Sequence, residues 1–173
     1  MPTKRTTSAE SSKASVEAKS TGPQPGDAAP EFVLPDDGGQ PVRLSQFRGK
    51  RVVLYFYPKD DTPGCTKEAC AFRDGRAALA ERNAVVLGVS ADSVASHKKF
   101  KNKYALPFPL LSDEKKEAVK SYGVWHEKSM YGKKYMGIAR TTFVIGPAGR
   151  IEKVFPSVKV DGHLDDILNS LPQ

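Results

Sequence analysis

The chain has 173 residues, of which 39% are hydrophobic and 27% charged, a composition typical of a single globular domain with its own hydrophobic core. Its formal net charge of +7 would suit an acidic protein, nucleic acid or anionic lipid as a partner, but it indicates nothing about the fold. Two cysteines and three widely separated histidines exclude a disulfide-rich secreted domain, a Cys₄ zinc site and a recognisable metal-ligand pair, so we expect no metal.

Residues 1–27 differ in composition from the rest of the chain. They contain Val16 as their only β-branched aliphatic residue and no aromatic residue. Such a segment cannot bury enough apolar surface to offset its ordering entropy, so we predict a disordered N-terminal tail followed by one domain at 28–173. The tail lacks the apolar region of a secretory signal, and no stretch of the chain approaches the roughly 18 apolar residues of a membrane span. A solvated tail is the simplest interpretation, and a weak nuclear or nucleic-acid-binding extension is the alternative.

From residue 28 onward, strand and helix patterns alternate. A short strand is predicted at 32–34, and the continuous apolar runs at 51–57 and 84–90 are typical of strands buried on both faces of a sheet. Four helices are predicted, at 65–81, 93–104, 113–122 and 161–171. Segments 142–145 and 151–155 flank a Pro-Ala-Gly turn and are predicted to form an antiparallel hairpin. This order predicts an α/β, thioredoxin-like fold with a central mixed sheet flanked by helices.

The segment from Pro58 to Cys70 joins the first buried strand to the first predicted helix. Cys65 therefore falls in the first helical turn, where unpaired N–H groups and the positive end of the helix dipole favour an anion such as a thiolate. Making an ordinary thiol mostly ionised at pH 7 takes roughly 3.4 kcal/mol, whereas a helix terminus supplies at most about 2 kcal/mol. We therefore expect a cationic partner, although these residues alone do not select one among 27 lysines and arginines.

The spacing of Cys65 and Cys70 carries a second prediction. Residues five apart in an ideal helix have Cα atoms about 8.7 Å apart, whereas a disulfide needs less than about 7 Å. A bond between these two cysteines would therefore require the first helical turns to unwind. Cys70 could instead be a small buried apolar residue, an interpretation that suits Cys65 less well because Pro63, Gly64 and charged residues surround it.

Residues 57–70 (YPKDDTPGCTKEAC) resemble the active-site segment of the peroxiredoxins, specifically the bacterioferritin comigratory protein or peroxiredoxin Q subfamily. Pro58, Thr62 and Cys65 match the family pattern P-x-x-x-T-x-x-C. Arg140 and the following TTFVI resemble the arginine that leads into a strand in this family. Further similar segments lie at 29–32, 88–92, 107–113 and 123–125, so the resemblance covers about 28–171 and leaves the tail outside.

The resemblance implies a role for each matching residue. Cys65 would be the peroxidatic nucleophile, and Arg140 the cation that holds its thiolate and polarises the peroxide. Thr62 would offer its hydroxyl to the thiolate and the bound peroxide, while Pro58 would shield the pocket from water. Cys70 would be the resolving cysteine, attacking the Cys65 sulfenic acid to form an intramolecular disulfide.

The same resemblance implies a thioredoxin-dependent peroxidase that reduces hydrogen peroxide and organic hydroperoxides, in antioxidant defence and redox homeostasis. Thioredoxin or a similar dithiol would be the reductant, and no cofactor is needed because both electrons pass through sulfur. We expect a cytoplasmic protein, or a nuclear one if the source is eukaryotic, that is monomeric or weakly dimeric and has neither a membrane nor a nucleic-acid partner.

Two other functions fit these residues less well. A disulfide exchanger on the same fold is disfavoured because four residues, not two, separate the cysteines. A basic nucleic-acid-binding or chaperone-like protein is supported only by the positive charge.

Two of the histidines, the tryptophan and the lysine-rich helix are predicted to have structural or surface roles. His97 shares a helical face with Phe100 and Tyr104, which predicts a partly buried packing residue, and Trp125 and His126 are interpreted as packing and surface groups. Residues 130–136 would form either the apolar rim of the pocket or an ordinary packed loop. A basic face that is solvated, or that docks an acidic partner or nucleic acid, comprises Lys98, Lys99, Lys101 and Lys103.

Overall fold

The computed structural model of this protein describes residues 22–173. The strands are β1 Val33–Pro35, β2 Pro41–Arg43, β3 Arg51–Phe56, β4 Ala84–Ser90, β5 Leu110–Ser112, β6 Trp125–Met130, β7 Lys133–Ile138, β8 Thr141–Ile145 and β9 Ile151–Phe155. The helices are α1 Pro63–Asp74, α2 Arg76–Glu81, α3 Val94–Tyr104, α4 Glu117–Ser121 and α5 His163–Ser170, with a 3₁₀ turn at Leu44–Phe47. Within residues 22–173, every helix is too short or too polar to cross a membrane.

The central sheet has five strands in the order β5-β4-β3-β8-β9. Strands β3, β4 and β5 run parallel to one another, whereas β8 is antiparallel to both β3 and β9. Two separate two-stranded sheets are formed by β1 with β2 and by β6 with β7. The predicted thioredoxin-like fold with a central mixed sheet is confirmed.

Side chains of β3 alternate between two buried clusters, one on each face of the sheet. Val52, Leu54 and Phe56 join the cluster that includes residues of α4, and Val53 and Tyr55 join the cluster that includes residues of α1, α2, α3 and α5. Because β3 is covered on both faces, its sequence is a continuous apolar run rather than an alternating one. The carboxyl end of this strand leads directly into the segment that carries Cys65.

Two predicted helices differ from the observed ones. The segment predicted as one helix at 65–81 is broken at Gly75, which separates α1 from α2. A Cβ atom at this position would lie 2.4 Å from Leu164 Cδ2 of α5, so a larger residue would have to displace that side chain. The helix predicted at 113–122 begins at Glu117, because the Lys116 amide donates to the Asp113 carbonyl at 2.9 Å in a turn and Lys116 has a positive φ of 63°. The Asp113 carboxylate accepts hydrogen bonds from the amides of Glu117 and Val119 at the start of this helix.

The predicted boundary between tail and domain is placed too late in the chain. The Gly26 amide donates to the Ile151 carbonyl at 2.8 Å, and the Ile151 amide donates to the Asp27 carbonyl at 2.9 Å. These backbone bonds hold the last residues of the predicted tail against β9, and they need no apolar side chains, which is why composition did not reveal them. Residues 1–21 lie outside the described residues, so the disorder predicted for them stays a prediction.

Candidate active site

Cys65 lies in the first turn of α1, as the sequence predicts. Thr62 has an extended backbone and precedes the helix, and Pro63 occupies its first position, where a missing N–H costs nothing. The first helical backbone bond runs from the Thr66 amide to the Thr62 carbonyl, at 2.8 Å. The amides of Gly64 and Cys65 therefore belong to the unpaired first turn, which favours negative charge on the Cys65 sulfur. The side chain of Cys65 is buried, with 1% of its surface exposed.

Arg140 is the cation that is needed to stabilise a Cys65 thiolate in addition to the helix terminus. It lies between β7 and β8, and its Nη2 donates to Cys65 Sγ at 3.3 Å. A Cβ atom on Gly64 would lie 3.2 Å from the same Nη2, closer than ordinary contact, so glycine at this position leaves the guanidinium room to approach the sulfur. Burial opposes the charge on Arg140, but Glu68 and Cys65 outweigh it, so the pKa of the guanidinium is raised and the group stays charged.

Glu68 holds the other end of the same guanidinium. Arg140 Nη1 donates to Glu68 Oε1 at 2.6 Å, and the Glu68 side chain is almost completely buried. Burial raises the pKa of this carboxyl to about 7, while the attraction of Arg140 pulls the pKa in the opposite direction. Glu68 Oε2 is buried and has no hydrogen-bond donor among residues 22–173. Glu68 is not among the residues predicted from the sequence, although its position three residues after a first-turn cysteine places it on the same helical face.

Thr62 and Pro58 both lie in the segment between β3 and α1. The Thr62 hydroxyl donates to the Lys59 carbonyl at 2.9 Å. This hydrogen bond lies within the loop, so the hydroxyl proton is not directed at the Cys65 sulfur. Its predicted contact with the thiolate would need that proton to change partner and stays a prediction. Pro58 is half-buried beside the loop, and its shielding role likewise stays a prediction.

Cys70 lies on α1 with Cys65, and both cysteines are free thiols. Cys65 faces the buried cluster under the helix, whereas Cys70 is half-exposed. Because both belong to one continuous helix, their Cα atoms are held about 8.7 Å apart by helical geometry. This arrangement keeps the two sulfurs separate while the helix is intact.

A buried polar network anchors the loop before α1. Asp60 Oδ1 accepts from the Tyr57 hydroxyl at 2.6 Å, and Asp60 Oδ2 lies 2.7 Å from His97 Nδ1. The other imidazole nitrogen, Nε2, lies 2.9 Å from the Leu111 carbonyl, and a carbonyl only accepts, so this nitrogen carries a proton. His97 is therefore a fully buried, hydrogen-bonded residue rather than the partly buried packing residue that was predicted.

Asp92 extends this network, since its Oδ2 accepts from the Asp60 amide at 2.8 Å. Asp60, Asp92 and His97 could each present one ligand atom to a cation, because these atoms all lie within 4.8 Å of one another. All three atoms already take part in hydrogen bonds within the network. The cluster therefore fixes the active-site loop to α3 and β5.

Comparison with known proteins gives concordant results. The AhpC/TSA family model matches residues 25–154. The chain is 54% identical over 146 residues to the putative peroxiredoxin bcp of Coxiella burnetii, covering 84% of this chain and 97% of that one. It is 49% identical over 146 residues to peroxiredoxin Bcp of Bacillus subtilis, covering 84% and 93%.

Solved structures agree with these relatives. The bacterioferritin comigratory protein of Xanthomonas campestris, whose structures address its alkyl peroxide reduction activity, superposes with a TM-score of 0.77 at 40% identity, covering 80% of this chain and 88% of that one. A cysteine-to-serine variant of Xylella fastidiosa PrxQ superposes with a TM-score of 0.79 at 39% identity, covering 89% and 96%.

Proposed function

We propose that this chain, which belongs to the AhpC/TSA family and is a peroxiredoxin of the bacterioferritin comigratory protein subfamily, performs its thiol peroxidase reaction with Cys65 as nucleophile and Cys70 as resolving thiol. The observation that carries the assignment of Cys65 is the 3.3 Å contact between Arg140 Nη2 and Cys65 Sγ at the start of α1. A guanidinium at this distance stabilises a thiolate, and the thiolate is the nucleophilic form of cysteine.

The first step transfers one oxygen atom to sulfur. The Cys65 thiolate attacks the terminal oxygen of the peroxide, the O–O bond breaks, and the electron pair of that bond leaves with the other oxygen. The leaving oxygen takes a proton to become water or an alcohol, and Cys65 becomes a sulfenic acid. Arg140 is positioned to donate hydrogen bonds to the sulfur and to the oxygens as charge moves onto them.

The second step forms a disulfide. The Cys70 thiolate attacks the sulfenic sulfur of Cys65, and the oxygen leaves as hydroxide and is protonated to water. Because an intact α1 holds the two Cα atoms about 8.7 Å apart, the first turns of the helix must unwind before this bond can form. Unwinding also separates Arg140 from Glu68, since Glu68 lies between the two cysteines.

We also propose a reductant, an oligomeric state and a cellular compartment for this protein. A thioredoxin-type dithiol would reduce the Cys65–Cys70 disulfide, because the bond becomes accessible when the start of α1 is unwound. The protein would act as a monomer, since both reacting thiols belong to one chain and no second subunit is needed for resolution. A reducing cytoplasm, or a nucleus if the source is eukaryotic, would keep both thiols available for turnover.

The test is thioredoxin-coupled consumption of hydrogen peroxide by the wild type, Cys65→Ser and Cys70→Ser. Cys65→Ser should be inactive, and Cys70→Ser should lose thioredoxin-supported turnover while retaining one oxidation event at Cys65. A matched pair of arginine variants distinguishes a role in the active site from a general effect of losing a positive charge. Arg140→Ala should lose most activity, and Arg76→Ala, which changes an exposed arginine of α2, should lose none. Full activity in Cys65→Ser would overturn the assignment, and undiminished turnover in Cys70→Ser would place the resolving thiol elsewhere.

A further inference from the structure

The hairpin of β6 and β7 concentrates exposed apolar side chains at its tip. Among residues 22–173, five large hydrophobic side chains are exposed, and four of them lie on this hairpin: Met130, Tyr131, Tyr135 and Met136. Tyr131 is 98% exposed and forms the turn with Gly132, both with positive φ angles of 54° and 79°. Two such residues make the tight turn that closes a hairpin without splaying its strands, so the tip is a fixed protrusion.

The apolar side chains surround the tip instead of lining one face. Cross-strand partners point to the same face of a hairpin, and the register pairs Met130 with Lys133 and Lys128 with Tyr135. Met130 and Tyr135 therefore share one face, and Met136, one residue further along, lies on the other. A protein surface would cover one face of such a hairpin, whereas a fluid interface can enclose the whole tip.

The charge around the tip favours an anionic interface. Residues 125–138 contain three lysines and one acidic residue, and Lys133 and Lys134 follow the turn directly. Glu127 lies 3.6 Å from Lys134 in an exposed ion pair, so it offsets only part of this charge. Tyrosine is enriched at the boundary between lipid headgroups and acyl chains, and lysine side chains are attracted to anionic headgroups.

We propose that the tip of the β6–β7 hairpin is a docking surface for an anionic lipid bilayer. Met130, Tyr131, Tyr135 and Met136 enter the headgroup boundary, and the lysines contact anionic headgroups. The base of the hairpin adjoins the active site, because β7 ends two residues before Arg140 and the pKa of Lys128 is lowered by burial and by the charge of Arg140. Met136 lies only two residues from the end of β7, so docking through these residues would hold the Cys65 site close to the membrane surface.

This surface goes beyond the peroxidase chemistry and differs from the sequence-based expectation of no membrane partner. That expectation rested on the lack of a membrane-spanning segment, whereas peripheral docking requires only exposed apolar groups beside cations. The mixture of lysine with polar and apolar residues at 128–136 does not reveal which of these side chains are exposed.

The test is flotation of the full chain with vesicles of phosphatidylcholine containing phosphatidylglycerol, compared with phosphatidylcholine alone. The wild type should bind the anionic vesicles at least about tenfold more strongly, with an affinity that falls as salt rises. Met130→Ser with Tyr131→Asn should reduce binding by about tenfold or more, since apolar burial is lost while asparagine tolerates the positive φ. Val33→Ser, an exposed apolar control on β1, should bind like the wild type.

A second pair of variants tests whether position or only charge matters. Lys133→Glu with Lys134→Glu should abolish binding, whereas Lys98→Glu with Lys99→Glu, the same charge change on α3, should leave most of it. Hydrogen peroxide turnover should be normal in all four variants, which verifies that they fold. Because vesicle binding is measured without turnover, the docking proposal can fail independently of the peroxidase assignment. Equal loss in the two charge variants, no preference for anionic vesicles, or a dimer that the tip substitutions dissociate would overturn the proposal.

Discussion

Arg140 Nη2 lies 3.3 Å from Cys65 Sγ although 75 residues separate the two in the chain. The other terminal nitrogen of the same guanidinium lies 2.6 Å from Glu68 Oε1, so one planar group holds the Cys65 sulfur and a buried carboxylate together. The two contacts use different nitrogens of a rigid fork, which a single ammonium group cannot reproduce. The active site therefore depends on the shape of this cation as well as on its charge.

Arg140→Lys should consequently lower the rate of Cys65 oxidation even though the charge is kept. A charge-assisted hydrogen bond is worth about 1.5–3 kcal/mol, so losing the contact with the sulfur should slow the reaction by roughly 10- to 150-fold. The second-order rate constant for one turnover with hydrogen peroxide, measured by stopped flow, checks this. A lysine variant that reacts as fast as the wild type would show that charge alone suffices.

Glu68 should make stability depend on pH near neutrality. Burial raises the pKa of this carboxyl to about 7 in the folded protein, above its ordinary value of 4.5. The folded state therefore holds a proton that the unfolded state releases, so this contribution to stability is present below about pH 4.5 and is lost as the pH rises through about 7. The loss should amount to about 3 kcal/mol, at about 1.4 kcal/mol for each pKa unit.

Urea unfolding of the wild type and Glu68→Gln between pH 4 and 8 checks this prediction. The wild type should lose stability relative to Glu68→Gln as the pH rises, because glutamine keeps hydrogen-bonding capacity without titrating. Glu81→Gln, a change at an exposed carboxylate on α2, should run parallel to the wild type. A constant difference between the wild type and Glu68→Gln across this range would contradict the raised pKa.

The sequence allowed local features to be predicted better than contacts between distant segments. The position of Cys65 in a first helical turn follows from its own neighbours, and β4 was predicted at its observed bounds, Ala84–Ser90. Arg140 was identified only through the family resemblance, since a contact across 75 residues leaves no periodic signal. The break at Gly75 was missed because a single glycine is compatible with a helical pattern, and the close approach of Leu164 from another helix is not visible in the local sequence. The β6–β7 hairpin was missed because its lysines interrupt the apolar alternation by which strands are recognised.

His97→Gln should destabilise the fold by about 3 kcal/mol. His97 is fully buried and contacts the Asp60 carboxylate at 2.7 Å, so its loss leaves a buried carboxylate with one partner fewer. Ser96→Ala is the matched change, because it removes one neutral donor from the same carboxylate and should cost about 1 kcal/mol. Chemical denaturation measures both, and equal stability of His97→Gln and the wild type would show that the contact with Asp60 contributes nothing.

Oxidation should remove the amide-exchange protection at the start of α1. In the reduced protein Cys65 and Cys70 occupy one intact helix, whose backbone hydrogen bonds protect the amides that follow the first turn. Forming the Cys65–Cys70 disulfide requires those turns to unwind, so amides within residues 65–72 should exchange much faster after one equivalent of peroxide. Hydrogen–deuterium exchange with mass spectrometry measures this directly.

Cys70→Ser is the control that separates disulfide formation from oxidation itself. Peroxide should still convert its Cys65 to a sulfenic acid, but no disulfide can form, so the helix should keep most of its protection. The far end of α1 and the strands of the central sheet should exchange alike in all samples, since only the first turns need to open. Equal protection of residues 65–72 in the reduced and oxidised wild type would contradict the unwinding step, because a disulfide cannot bridge an intact helix across this spacing.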